Sequence, residues 1–559
     1  MFERNRGMAY ALLVGTLSLV LSAGALWGQD GGVAGPPSAS LFGDIIDVRV
    51  VNLEVVVTRN GERVSGLQPE DFELTIDGED VPIEYFTEVL GGTAVQSGTE
   101  SQAGTLPALA PGAPVSTSYL VFIDEFFMLP SMRNMVLKGM IEQLPMLDPE
   151  DRMAVVAFNG KKLEMLSSWS QSIPELTRVF EDALERPAYG LQRRAEERSF
   201  ESGREFRERR LLQSVANPTY RLDIEEEQEA QRIAGQVKRA VMSATSALRG
   251  FANPPGRKVM VLFSGGWPYN PAQWVVGDFT RSIQETGIPQ GEQLYGPLIE
   301  TANRLSYTIY PVEAPYLRFP GGSAEVSSVE RSTQANTLFN AREQESRAAL
   351  NVIAGDTGGR AIFGGGRSSA LENAVTDTRT YYWIGFTPDW KGDDEEHDIR
   401  LKARDRKLKV RSRESFSDLS RSTEVTMMVE STLLLGDAPT GLPLYAQVGP
   451  GVKAKRGKVQ VPLTVVIPIH ELTFLPNENE YLAEIEMRIA VEDERGGLNE
   501  IPVIPMRVSL TEPPKEGDLR RVDTGVLMRK RKHTMVVSLY DVASGKILTA
   551  KLDVDPKVR

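Results

Sequence analysis

Cysteine is absent from the 559 residues, and histidine occurs only as His397, His470 and His533. The first absence excludes disulfide frameworks, thiolate zinc sites and cysteine nucleophiles. The second leaves little for a histidine-based metal site or catalytic triad, because the three residues are far apart in sequence. An excess of positive charge is lacking as well. There are 63 Lys and Arg against 76 Asp and Glu, a net charge of −13. That balance argues against a general nucleic-acid binder, since phosphate binding needs a basic face. After the first 28 residues no run is long and apolar enough to span a bilayer. No Gly-x-Ser-x-Gly elbow occurs, and no Gly-Lys-Ser/Thr follows Gly364-Gly365-Gly366, so neither a hydrolase elbow nor a phosphate loop is indicated. A carboxylate pair for glycoside chemistry stays open, because so many acidic residues always offer some pair.

The N-terminus has the order of an export signal. Arg4 and Arg6 precede an apolar stretch from Met8 to about Leu26. Small residues follow at Ala23-Gly24-Ala25, with Gly28-Gln29 just beyond. Residues 1–28 therefore read as a signal peptide. The alternative is an uncleaved anchor, the only route by which the chain would touch a membrane. The mature protein is expected outside the cytoplasm: periplasmic, on the cell surface or secreted.

At roughly 150 residues per domain the length corresponds to about three or four domains, and the residue pattern changes along the chain. Residues 29–44 are a Gly, Pro and Ser-rich flexible leader. Residues 45–90 alternate as β-strands, with a bulge expected near Val51-Asn52 and hairpin turns at Asn60-Gly61 and Asp77-Gly78. Residues 91–118 form a linker. From 119 to 388 short apolar runs alternate with helical stretches, the signature of a parallel sheet covered by helices. The runs are 119–124, 153–158, 258–263, 307–312 and 381–386, with Arg360-Ala361-Ile362-Phe363 a shorter candidate. Lys162–Leu166 is expected as an antiparallel hairpin strand. A charged insertion, 186–223, mixes both signs along one helix, as in Arg193-Arg194 and Glu196-Glu197-Arg198. It is read either as a solvated face laced by i,i+4 ion pairs or as a docking arm for an acidic partner. A second polar stretch, 318–340, reads as a mobile loop. Residues 389–418 form a closing β segment. Residues 424–555 read as an Ig-like β-sandwich without a helix.

The central region resembles a von Willebrand factor A domain, and the whole chain resembles the exported VWFA-related proteins of acidobacteria and their relatives. Val55–Phe72 with Asp77-Gly78, Leu147–Phe158, Gly355–Ala361, Tyr381–Pro388 and His397–Ser415 carry the likeness. The resemblance implies a multidomain α/β plus all-β chain: a Rossmann-like A domain flanked by an N-terminal β module and a C-terminal sandwich. It also implies ligand binding through a divalent cation at the carboxyl edge of the sheet, held by Asp-x-Ser-x-Ser, a loop Thr and a further Asp. Here Asp124 is kept, but Phe126 and Met128 stand at the two Ser positions and Gly265 at the second Asp. No Thr lies between Arg178 and Pro218. One carboxylate, even with Glu125 beside it, does not build a six-coordinate oxygen site. No metal is expected, and residual Mg or Ca binding would fall to a vestigial Asp124. No other cofactor is implied.

Apolar residues replace the ligands. Phe126, Phe127, Met128, Trp267, Tyr269 and Trp274 all lie on loops at this edge. Two readings are open: a metal-independent partner-binding patch with aromatic anchors, or packing beneath the charged insertion. The acidic run Asp393–Glu396 reads as a turn. The basic runs 453–458 and 529–532 read as solvated turns or charge-protected edges. Together these point to an exported, non-catalytic interaction or scaffold protein whose partner is another protein or its own copies. Cation-dependent adhesion, or a structural subunit of a filament or large assembly, are the alternatives.

Overall fold

The structure is a computed structural model describing residues 50–95, 112–211, 219–252, 254–277, 282–284, 286–314, 329–389, 391–435, 442–477, 480–494 and 501–556. The segments read from the sequence as signal (1–28) and leader (29–44), most of the stretch read as a linker (91–118), and residues 212–218 and 318–328 lie outside the described residues. The chain divides into two units, one spanning Ile45–Leu435 and one holding Gly436–Arg559.

In the first unit, β1 (Val51–Arg59), β2 (Phe72–Ile76) and β3 (Tyr85–Leu90) precede the α/β region. That region runs β4 (Thr117–Asp124), α1 (Pro130–Gln143), β5 (Arg152–Phe158), β6 (Leu163–Ser170), α2 (Ile173–Glu185), α3 (Gly190–Leu211), α4 (Ile224–Gly250), β7 (Arg257–Ser264), α5 (Pro271–Val276), α6 (Glu292–Arg304), β8 (Tyr307–Glu313), α7 (Val329–Asp356) and α8 (Ala370–Thr378). Its sheet has the order β8-β7-β4-β5-β6. All neighbours are parallel except β6, which returns antiparallel to β5. Every residue of β4 is buried, as a parallel strand covered on both faces must be. Alternation sorts the side chains. Leu120, Phe122, Val156, Met260 and Leu262 join the core under α4, α6 and α7. Tyr119, Val121, Ile123, Val155 and Val261 join the core under α1, α2 and α8. The chain leaves β4 toward β5 on one side and reaches β7 on the other, so the strand order reverses between β4 and β7. In open α/β sheets ligands bind outside the carboxyl ends at such a switch point.

Several expectations are corrected. Tyr381–Phe386, here β9, is not a strand of the parallel sheet. It runs antiparallel between β1 and β3, with Val51 opposite Phe386 and Tyr381 opposite Val89. Only Ile362, bridged to Val312, extends the parallel sheet past β8. The reason is the shared core: Tyr382, Ile384 and Phe386 pack with Leu53, Val55, Phe72 and Leu74. The N-terminal strands are thus not closed on themselves. They are completed by β9, β10 (Glu396–Ala403), β11 (Lys409–Arg411) and β12 (Ser415–Ser417). No bulge occurs at Val51-Asn52. Instead β1 changes partner, from β9 up to Val55 to β11 from Val56. Asn60-Gly61 and Asp77-Gly78 are turns with positive φ at both residues. Residues 329–340 are helical in α7 rather than loop. Residues 424–435 are not sandwich strand but the body of α9 (Arg421–Leu435). Val425, Val429, Thr432 and Leu433 are buried at helical spacing, Met427 and Glu430 are buried beside them, and Arg249 of α4 reaches Glu430 at 3.5 Å.

The second unit is two antiparallel-rich sheets over one core. One contains β13 (Leu442–Pro443), β17 (Leu475–Asn477), β18 (Glu480–Asp493), β19 (Val503–Leu510), β21 (His533–Asp541) and β22 (Ile547–Val554). The other contains β14 (Tyr445–Val448), β15 (Val452–Lys453), β16 (Lys458–Pro468) and β20 (Leu519–Arg529). Val461, Leu463 and Val465 face Ile485, Met487 and Val537 across the core. Of the two basic runs, Arg529 and Arg531 each pair with Asp493 at 3.3 Å.

A buried ion cluster joins the β-strands to the α/β region of the first unit. Asp377, at the end of α8, accepts Arg63 and Arg411 at 2.5 Å each and Tyr310 Oη at 2.7 Å. Burial alone would raise its pKa, but Arg411, Tyr310 and Arg63 hold it down at about 2. Removing one member of such a cluster leaves unpaired charge inside the protein. Asp377→Asn is expected to cost about 3 kcal/mol in urea unfolding, the low end of the range because both guanidinium groups are partly exposed. An unchanged midpoint would show that the cluster adds nothing.

Candidate functional site at the carboxyl edge of the parallel sheet

Asp124 is the last residue of β4 and is fully buried. Its Oδ1 accepts the backbone N–H groups of Phe126 and Phe127, both at 3.1 Å. Its Oδ2 accepts the indole Nε1–H of Trp267 at 2.7 Å. Burial pushes the carboxyl up to about 7, against the pull of the Trp267 donor, the Phe127 amide, the Arg193 charge and the Phe126 amide. Where the resemblance puts a cation, this chain presents an N–H dipole and two amides.

Trp267 is held in that pose from below. It stacks on Tyr295 of α6 at 6.2 Å and 14°, and Tyr295 Oη donates to Pro268 O at 2.6 Å. The chain enters Trp267 through Gly265-Gly266. A Cβ at Gly265 would lie 2.5 Å from Phe127 O and 2.9 Å from Ala314 O. No side chain fits there, so the second Asp of the cation motif is excluded by backbone packing.

The aromatic edge residues are brought together, but inward. Phe127, Trp267 and Trp274 are buried in the core under α4, α6 and α7, against which Phe126 and Tyr269 pack partly buried, whereas Met128 is buried in the opposite core under α1, α2 and α8. The exposed-patch reading is therefore corrected for the four buried residues. Of the edge residues, Phe127 and Phe126 lie beneath the insertion, whose helix α3 sets the Arg193 guanidinium 3.9 Å from the Phe127 ring centre and 5.1 Å from that of Phe126. Neither reading of α3 describes the face it turns inward. Arg193 and Glu197 are buried. Arg193 Nη1 donates to Gln236 at 2.6 Å, and Arg342 of α7 reaches Glu197 at 3.4 Å and Glu201 at 2.6 Å. Arg342 also lies over the Trp274 ring at 5.5 Å. The side chains of Arg204 to Arg210 lie outside the described set.

Glu125 is equally engaged. It is buried, accepts Arg186 Nε at 2.6 Å and Nη2 at 3.1 Å, and faces Arg133 at 3.8 Å. Arg186 also pairs with Glu164 at 2.7 Å. Asp124 and Glu125 are thus both engaged by protein donors. Residues that sequence reasoning missed include Arg193, Arg342 and Glu345. Glu345 accepts the Asn270 amide at 2.6 Å, and burial raises its carboxyl to about 7. The i,i+4 spacing of Arg193 and Glu197 was visible, but nothing marked that face as internal. Among the described residues, the one group of metal-ligand type is elsewhere, at Asp393, His397 and Asp418.

No family profile matches the chain and no curated protein does. Among solved structures it is similar to the SpRpn10 VWA domain at 10% identity, over 46% of this chain and 95% of that one, with a TM-score of 0.18. It is similar to the pilus adhesin SpaC from Lactobacillus rhamnosus GG at 8% identity, over 81% and 57%, with a TM-score of 0.22. It is similar to a β-glucuronidase from Bacteroides uniformis at 9% identity, over 20% and 13%, with a TM-score of 0.14. The chain spans less than two thirds of the adhesin and a small part of the β-glucuronidase. At such TM-scores these likenesses carry no argument, and the topology above stands on its own.

The raised Asp124 pKa has a stability consequence. A carboxyl whose folded pKa exceeds its unfolded value contributes most below the unfolded pKa, and the contribution is lost as pH rises toward about 7. Asp124→Asn should flatten the fall in unfolding free energy between about pH 4 and pH 7. Trp267→Phe removes the donor and should cost about 1–3 kcal/mol at pH 7, as for an unpaired buried polar group. The loss should be smaller at pH 5, where the carboxyl is neutral. Denaturant unfolding at the two pH values measures both, and equal losses for Trp267→Phe would refute the assignment.

Proposed function

We propose that the first unit is a von Willebrand A-type interaction domain that works without the cation its relatives use. The observation that carries this reading is the Trp267 N–H on Asp124 at the switch point of the sheet. There a protein donor occupies the position from which a divalent ion would bridge to a ligand. Binding then falls to outer surfaces, by shape and charge complementarity, and the occupant is another protein or a second copy of the chain. The protein is non-catalytic and needs no cofactor at this edge. Of the six aromatic-edge residues, Phe126 and Tyr269 keep the partial exposure a contact would use. Export follows from the residue order of 1–28. Among the described residues no helix is long and apolar enough to cross a membrane.

The test is thermal unfolding with light scattering on the mature chain after chelation, with and without magnesium or calcium. The expected result is an unchanged melting temperature and mass. A ligand that binds only the folded state must stabilise it. A rise that Asp124→Asn abolishes would overturn the proposal and restore cation-mediated adhesion.

A further inference from the structure

The three metal-ligand side chains away from the sheet edge come from one stretch of chain that doubles back on itself. Asp393 lies in the turn after β9, His397 on β10, and Asp418 just past β12. Each offers a ligand atom, and those atoms all lie within 4.8 Å of one another. Two features distinguish this from a chance meeting of surface charges. Asp418 is only 3% exposed. Its Oδ2 accepts the backbone amides of Lys391 and Gly392 at 2.5 and 2.8 Å, which fixes the carboxyl in the turn, and among the described residues no donor bonds its Oδ1. His397 is also oriented from behind. Its Nδ1 meets Asp77 Oδ2 at 2.8 Å, and its ring stacks on Phe416 at 5.0 Å and 24°. A carboxylate on one ring nitrogen fixes the tautomer and leaves the other nitrogen as a lone-pair donor, the arrangement metal-binding histidines use.

We propose that Asp393, His397 and Asp418 form a zinc site, with Asp77 as the positioning residue of His397. One imidazole and two carboxylates suit a borderline ion better than magnesium or calcium, which favour all-oxygen shells. Three protein ligands leave the fourth tetrahedral position to water. Ligand bonds of about 2.0–2.2 Å put donors at most about 4.4 Å apart, so the group closes slightly on the ion. Asp393 is the most exposed member; its Oδ1 accepts the Glu395 amide at 3.1 Å, and its second oxygen is the one that would turn to the ion. Bound zinc would tie the loop after β9 to the end of β12. Because the group is far in sequence from Asp124, the site also separates any metal effect here from the sheet edge.

The experiment is zinc titration by calorimetry on the tag-free chain after chelation, for wild type, Asp393→Asn, His397→Gln and Asp124→Asn. Wild type and Asp124→Asn should each take up one zinc with equal affinity. Asp393→Asn and His397→Gln should bind at least tenfold more weakly with unchanged circular dichroism. Asp393 is exposed, so its variant keeps the test valid even where His397→Gln disturbs the stack on Phe416. Absence of stoichiometric zinc uptake, or equal affinity in Asp393→Asn and wild type, would overturn the proposal. Uptake lost only in Asp124→Asn would overturn it too, and would place the metal at the sheet edge.

Discussion

A carboxylate sealed from water has to find its hydrogen-bond donors inside the protein, and Asp124 sets that requirement at the end of the central strand. Much of the surrounding edge answers it. Phe126 and Phe127 turn sharply so that their amides meet one oxygen. Gly265-Gly266 lets the next loop pass tightly against Phe127 and Ala314, which brings the Trp267 indole to the other oxygen. Tyr295 supports the indole from beneath, and Arg193 lies across the two Phe rings with its charge near the carboxyl. A mobile ion would meet the same electrostatic need while leaving the pole open to ligands. A fixed indole meets it and closes the pole.

The charged insertion belongs to the same arrangement. A helix so rich in Arg and Glu looks made for solvent, yet Arg193, Glu197 and Arg342 are buried together. Their long apolar stems and flat guanidinium faces cover aromatic rings, while their nitrogens are spent on Glu197, Glu201 and Gln236. Buried ion pairs of this kind give little net stability relative to apolar packing. What they do accomplish is to set one docking position for α3, since a shifted helix would strand charges. The Asp377 cluster plays the corresponding part between Arg63, just past the turn after β1, Arg411 of β11, Tyr310 of β8 and α8.

Legibility varied with the range of the interaction that decides each feature. The parallel strands, the β5–β6 hairpin and the turns at Asn60-Gly61 and Asp77-Gly78 follow from short-range apolar runs and positive-φ residues. That positions 126, 128 and 265 carry no oxygen-bearing side chain was readable as well. The helix α9 was missed although Val425, Val429, Thr432 and Leu433 have helical spacing, because Thr and Val also suit strands. The pairing of β9 was missed because an apolar run of six residues does not say which sheet receives it. Nothing in a run of Arg and Glu says which face turns inward.

The sequence by itself determined the alternation of strands and helices around a central parallel sheet, the β character of the C-terminal region, and the absence of the Ser, Thr and Asp ligands of the cation motif. These are matters of local pattern and residue type. Only the tertiary structure decided that Trp267, 143 positions after Asp124, supplies the missing donor. It also decided that the edge aromatics face inward, that β9 completes the N-terminal sheets, and that Asp393, His397 and Asp418 converge. Each depends on contacts that local pattern does not specify, most of them between segments far apart in the chain, where burial and charge compensation select one arrangement among many that the same local patterns allow.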